Sequence, residues 1–198
     1  MRWYGRREPE GEDERVLRMK EMTDEGLLNQ IRRIKLLILD VDGVMTDGRI
    51  IIDDAGSESK HFDVRDGHGL KMLMRYGIDV ALLTGRKSRV VDHRAAELGI
   101  TEVHQGIWNK REVFDEILRR RNLAAEETAY VGDDVVDVPL LRRVGFGVAV
   151  ADACPEAIGA AGYVTEHSGG RGAVREVCEV ILRAQGRWDD VAARYEFV

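Results

Sequence analysis

The sequence predicts an α/β fold, a parallel sheet flanked by helices with a β-hairpin inserted after the first strand. From Ile34 onward, short apolar runs alternate with longer amphipathic stretches, the pattern of βαβ units around a buried parallel sheet. One segment breaks that rhythm: in Arg49–Phe62, RIIIDDAGSESKHF reads as two strands around an Asp-Asp-Ala-Gly turn. The chain is also long enough for one substantial core. With 198 residues, 44% apolar and 33% charged, it should bury roughly 70% of the surface its unfolded form exposes.

The buried-strand candidates, in order, are Lys35–Leu39, Asp79–Leu83, Glu102–His104, Thr128–Val131, Gly147–Val150 and Tyr163–Val164. Helical patterns fall at about Gly69–Tyr76, Arg86–Leu98, Lys110–Arg121, Asp137–Val144, Cys154–Ala160 and Gly172–Gln185, so the sheet is expected to be Rossmann-like. Residues 1–33 form a charged extension with 8 basic and 8 acidic side chains. A helix is expected from about Thr23, with Thr23 or Asp24 as its cap and Leu27, Leu28 and Ile31 on one face. Residues 34–186 make the main domain, with the hairpin at 48–63. The tail 187–198 is expected to lie on a surface or on a neighbour.

Composition excludes several classes. Thirty basic against 36 acidic residues give a net charge of −6, which argues against nucleic acid as the main partner while leaving room for a local anion pocket. No stretch approaches the roughly 20 apolar residues of a membrane span, and the N-terminus lacks a secretory apolar run, so a cytoplasmic location is expected. Cys154 and Cys178 have no ligand spacing and are expected as free thiols. The five histidines, His61, His68, His93, His104 and His167, show no ligand spacing either.

The acids that matter stand at strand ends. IKLLIL runs into Asp40-Val41-Asp42-Gly43-Val44-Met45-Thr46-Asp47-Gly48, and TAYV runs into Gly132-Asp133-Asp134-Val135-Val136-Asp137. In an open parallel sheet, ligands bind beyond the carboxyl ends of the strands. Two carboxylates at i and i+2 there repel each other and are costly to bury without a cation. If the two strands are neighbours, both acidic clusters share one site, and a hard divalent cation such as Mg²⁺ is the natural neutraliser. Zinc is disfavoured because no Cys/His set accompanies them. IDVALL ends in Thr84-Gly85-Arg86, which suits an anion but is also an ordinary helix start. Lys110 opens a helix, where a cation opposes the macrodipole unless it answers an anion. Taken alone, Lys110 is equally well read as a solvated surface lysine.

Together the four strand ends supply DxDG, Thr, Lys and GDDxxD, and in this the sequence resembles the haloacid dehalogenase superfamily. The resemblance implies that Asp40 is a nucleophile that becomes phosphorylated and that Asp42 is the general acid and base. Thr84 and Lys110 would then hold the phosphoryl group. Mg²⁺ would be bound by Asp40, the Asp42 carbonyl and Asp133, with Asp134 or Asp137 orienting that shell.

DVDGVMTDG with its hairpin, FDVRDGHGLKML, and AVADACPEAIGAAGYVTEHSGGRGAVREVCEVIL are more narrowly similar to the 3-deoxy-D-manno-octulosonate 8-phosphate phosphatases, over about 34–186. These enzymes have no cap domain and act in lipopolysaccharide precursor synthesis. The similarity implies a homotetramer whose hairpins form a central barrel and whose active sites are covered by neighbouring subunits. It also implies a substrate loop at Asp63-Val64-Arg65-Asp66-Gly67, with Lys71, Arg86, Arg94 and Arg171 facing an acidic sugar phosphate. The family commonly has Asn at position 63 and Arg at position 71, so the sugar pocket departs from its pattern. Two alternatives are a phosphatase for a nine-carbon ulosonate 9-phosphate and a non-catalytic tetramerising module. Such a module would be expected to lose the nucleophile or the lysine, and this chain keeps Asp40, Asp42, Thr84, Lys110 and Asp133.

Overall fold

The computed structural model describes residues 25–197. A short helix, α1 (Glu25–Ile31), leads into the central strand β1 (Leu36–Leu39). The expected caps Thr23 and Asp24 lie outside the described residues. The hairpin follows as β2 (Ile51–Ile52) and β3 (Glu58–Ser59), antiparallel with Ile51 opposite Ser59. The chain then alternates through α2 (Val64–Arg75), β4 (Asp79–Leu83), α3 (Arg89–Leu98), β5 (Glu102–His104), α4 (Lys110–Arg121), β6 (Thr128–Gly132), α5 (Val138–Leu141) and β7 (Phe146–Ala149). It closes with α6 (Pro155–Ala160), β8 (Tyr163–Val164), α7 (Ala173–Ala184) and α8 (Trp188–Tyr195).

The six long-range strands form one sheet in the order β5-β4-β1-β6-β7-β8, each pair parallel. The order decides where the site lies. From β1 the chain first builds outward through β4 and β5, then returns to the other flank of β1 with β6, so β1 and β6 flank the switch point at which parallel sheets bind ligands. Strand alternation splits β1 between the two faces: Leu37 and Leu39 join the core under α1, α2, α3 and α7, while Leu36 and Ile38 join Phe114, Ile117 and Tyr130 on the other side.

Several boundaries differ from the sequence reading. The helix expected from Gly69 starts at Val64, because Asp63 is its N-cap and accepts from the Arg65 amide at 2.6 Å. Residues 64–67 are therefore the first helical turn and not a loop. The helix expected from Arg86 begins at Arg89, capped by Ser88, whose hydroxyl accepts from the Val90 amide. The tail beyond Gly186 contains α8, with Val191 and Ala192 buried. The charged extension is tied to the core at its end: Ile31 is fully buried, and the Gln185 side chain donates to its carbonyl at 3.4 Å. Both cysteines are free thiols.

Candidate active site

Leu39 pairs with Val131 across β1 and β6, so the acids that follow the two strands share one end of the sheet. Asp40 is buried; its Oδ1 accepts from the Val41 amide at 2.6 Å and its Oδ2 from Lys110 Nζ at 2.7 Å. Lys110 opens α4 and is itself buried. The same ammonium donates to Asp137 Oδ1 at 2.7 Å and to the Tyr130 hydroxyl at 3.1 Å. Tyr130 in turn donates to Asp137 Oδ1 at 2.5 Å. Asp137 Oδ2 accepts the amides of Asp133 at 3.0 Å and Asp134 at 3.2 Å. Lys110 thus spans the carboxylates that follow β1 and β6, which accounts for a cation at a helix start.

Carboxylate oxygens of Asp40, Asp133 and Asp137 lie within 4.8 Å of one another. Burial pushes Asp40 upward, and although Lys110 pulls it back, it stays above the ordinary carboxylate range. Burial, and then the charges of Asp40 and Asp137, push Asp133 to about 7. Lys110 loses something to burial, but the two aspartates outweigh that and raise it. The cluster therefore holds three carboxylates and one ammonium, which bonds two of them. Both oxygens of Asp137 are taken by protein donors, whereas no hydrogen bond from the described residues reaches the Asp133 carboxylate. Crowded all-oxygen donors with one carboxylate unsatisfied fit a hard divalent cation, which Asp40 and Asp133 could hold with Asp137 as their support. Gly43 makes this approach feasible. It adopts φ +87, and a Cβ there would stand 2.0 Å from Asp133 Oδ2.

Thr84, 2% exposed, follows β4, the strand that pairs with β1 on the side away from β6; its amide donates to the His104 carbonyl and its carbonyl accepts from Ile107. The Asp42 carboxylate is turned to other partners. Its Oδ1 accepts from Lys60 Nζ, and Arg86 Nε lies 3.6 Å from its Oδ2. Asp134 is exposed and its side chain accepts from the Val135 amide, so it stands outside the cluster.

Only part of the expected sugar-binding set faces solvent. Val64, Arg65 and Lys71 are exposed on α2. Asp66 instead caps α7, accepting the Arg175 amide at 2.8 Å and lying 3.4 Å from that of Gly172. Gly67 is buried because Arg94 packs on it: a Cβ would meet Arg94 Nη2 at 2.3 Å. Arg94 donates to the Asp63 carbonyl at 3.2 Å and to Glu97 at 2.9 Å, and it lies over the Phe62 ring. The glycines before Arg171 admit another stretch of chain, not a ligand. A Cβ on Gly169 would stand 1.8 Å from the Gly43 carbonyl, and the Gly170 amide donates to Val44. Arg171 itself is exposed, 3.7 Å from Asp47.

A family model described as haloacid dehalogenase-like hydrolase matches residues 95–177. The Escherichia coli (strain K12) protein named 3-deoxy-D-manno-octulosonate 8-phosphate phosphatase KdsC is 49% identical over 164 residues, covering 83% of this chain and 87% of that protein. The chain belongs to this phosphatase family. Solved members share its fold. The Moraxella catarrhalis 3-deoxy-D-manno-octulosonate 8-phosphate phosphatase, crystallised with magnesium ion, phosphate ion and KDO, superposes with a TM-score of 0.85. It is 40% identical, covering 87% of this chain and 99% of its own. The cobalt-bound Haemophilus influenzae family member is 43% identical with a TM-score of 0.77, covering 79% and 92%. Among the described residues, the insertion between β1 and α2 is the hairpin alone, with no separate cap domain.

Two residues of the site escape a reading of the sequence. Tyr130 sits in the apolar run TAYVG, where an aromatic reads as core; only its place one strand away from Asp40 gives its hydroxyl a role. Lys60 follows β3 in an exposed hairpin and reads as surface, yet its side chain is 1% exposed.

Proposed function

We propose that this chain hydrolyses 3-deoxy-D-manno-octulosonate 8-phosphate to 3-deoxy-D-manno-octulosonate and phosphate, with Mg²⁺ as cofactor, in the cytoplasm and as a step of lipopolysaccharide precursor synthesis. The observation that carries this reading is the Lys110 bridge between Asp40 and Asp137 beside an unsatisfied Asp133, in a chain of this family.

Asp40 attacks phosphorus, forming an acyl phosphate as the bond from phosphorus to the sugar's terminal oxygen breaks. Asp42 donates a proton to that oxygen, and the sugar leaves as an alcohol. In the second half, Asp42 takes a proton from water, whose oxygen attacks phosphorus and releases phosphate and the Asp40 carboxylate. Lys110 holds Asp40 in place and meets the charge that builds on the phosphoryl oxygens, and the Thr84 hydroxyl donates to one of them. Asp40, Asp133 and the Asp42 carbonyl would hold Mg²⁺, which when bound would supply further neutralisation of that charge. Arg65, Lys71 and Arg171 offer exposed cations to the acidic sugar. Asp63, Val64, Asp66, Gly67 and Arg94 shape the start of α2 from which Arg65 and Lys71 project, and Arg86 meets the substrate from beside Asp42.

The hairpin exposes Ile50, Ile51 and Ile52, Ile52 by 60%, which supports a homotetramer assembled through the hairpins. Light scattering of the full chain should give four copies, and a monomer would overturn that part. The function is tested by phosphate release from 3-deoxy-D-manno-octulosonate 8-phosphate, with and without chelator, beside a nine-carbon ulosonate 9-phosphate. Metal-dependent turnover favouring the eight-carbon ester is expected. A preference for the longer ester would reassign the substrate, and no release from either would overturn the reading.

A further inference from the structure

We propose that Lys60 is a positioning residue for Asp42, delivered by the hairpin to fix the direction in which the acid presents its proton; this rests on the phosphatase reading above. Lys60 is a buried cation that the phosphoryl chemistry does not itself use. A buried ammonium persists only where carboxylates compensate it, and here there are two. Its Nζ donates to Asp42 Oδ1 and lies 3.5 Å from Glu58 Oε1. Arg86 closes the circuit, donating to Glu58 Oε1 at 2.9 Å and facing Asp42 Oδ2 at 3.6 Å. Two cations and two carboxylates therefore alternate around a ring, and each oxygen of Asp42 faces a different cation. The plane of the carboxylate is thereby fixed, and a fixed plane restricts where its proton can go.

Fastening the hairpin would by itself also use such a ring, so the test must separate the two roles. An alkyl phosphate needs a proton on its leaving oxygen, whereas an aryl phosphate with a stable phenolate leaving group hardly does. The value of kcat/KM reports the steps up to and including that cleavage. Lys60→Met should lower kcat/KM for 3-deoxy-D-manno-octulosonate 8-phosphate by about 100-fold and for p-nitrophenyl phosphate by less than about 5-fold, given that general acids contribute 10²–10⁴. Lys60→Arg should regain most of the loss. Glu58→Gln, which leaves the buried ammonium in place, should show the same inequality more weakly and serves where Lys60→Met does not fold. Equal losses on both esters, or no loss on the alkyl ester, would overturn the positioning role alone. A wild type that cleaves neither ester would overturn the phosphatase reading with it.

Discussion

Asp66→Asn offers a clean measurement, because two opposing effects meet at one carboxylate. Asp66 accepts amides at the start of α7, where the helix dipole and those donors favour the ionised form. Burial opposes them: the residue is 2% exposed, and desolvation, with some help from Asp63, wins and lifts the group from 3.8 to about 6. An acid whose pKa is higher folded than unfolded stabilises the fold only while it is protonated. Its contribution is fully present below about pH 4 and is lost as the pH rises through 6. At about 1.4 kcal/mol per pH unit, that rise amounts to about 3 kcal/mol. Asparagine keeps an oxygen for the Arg175 amide and does not titrate. Urea unfolding of both proteins from pH 4 to pH 8 should show the wild type losing up to about 3 kcal/mol relative to Asp66→Asn over that range. Nearly all of the change should fall below pH 7, and any constant offset from the altered cap drops out of the comparison. A flat difference, or one of opposite slope, would mean that the helix terminus outweighs burial at this position and would refute the reasoning.

Lys110→Met should destabilise the chelated protein by about 3–5 kcal/mol in thermal or urea unfolding, since two buried carboxylates lose their shared counter-charge; a change under about 1 kcal/mol would contradict the bridge. Asp40→Asn should abolish phosphate release while leaving the chelated protein at least as stable as wild type, because it removes the neighbouring charge that, after burial, does most to raise Asp133 to about 7; residual turnover above about 1% would exclude Asp40 as nucleophile. Tyr130→Phe removes one buried hydroxyl at constant ring packing and should cost about 1–2 kcal/mol, with kcat falling roughly 10-fold and KM nearly unchanged. An equal rise in KM would show that Tyr130 supports substrate binding rather than the Lys110–Asp137 pair.

The readable and unreadable parts of this molecule divide along the range of the forces involved. Strand positions follow from local apolar runs, and Asp79–Leu83, Glu102–His104 and Tyr163–Val164 match residue for residue. Asp40 and Asp133 are conspicuous because a carboxylate beside an apolar strand has a desolvation cost that can be read from its neighbours in sequence. What the chain cannot display locally is the strand order that makes β1 and β6 adjacent, and that adjacency turns two acidic turns into one site. The start of α2 is an instructive error. Gly67 and Gly69 look like helix breakers, but Asp63 as cap and Asp66 in the first turn were a legible start signal, and the glycines are there because Arg94 and Arg175 pack against them. Likewise RWDDVAARY carries a helical apolar spacing in Trp188, Val191 and Ala192, masked by its charges.

The ion pairs are the least legible feature, since a charged residue does not reveal its partner. Lys60 finds Asp42 eighteen positions away, and Lys110 finds Asp40 seventy positions away. The hairpin shows why such pairs matter beyond the site. Strands of two residues each are too short to hold themselves together in water, and the isoleucines on this hairpin point outward. Its conformation within one subunit therefore rests on its turn, where Asp53 accepts the amides of Ala55 and Ser57, and on its β3 end, where Glu58 pairs with Arg86 and Lys60 is anchored on the aspartate two residues beyond the nucleophile. Whatever orders the hairpin also orders Asp42, so a surface that packed against Ile51 and Ile52 would act on the acid through Lys60 and through the Glu58–Arg86 pair.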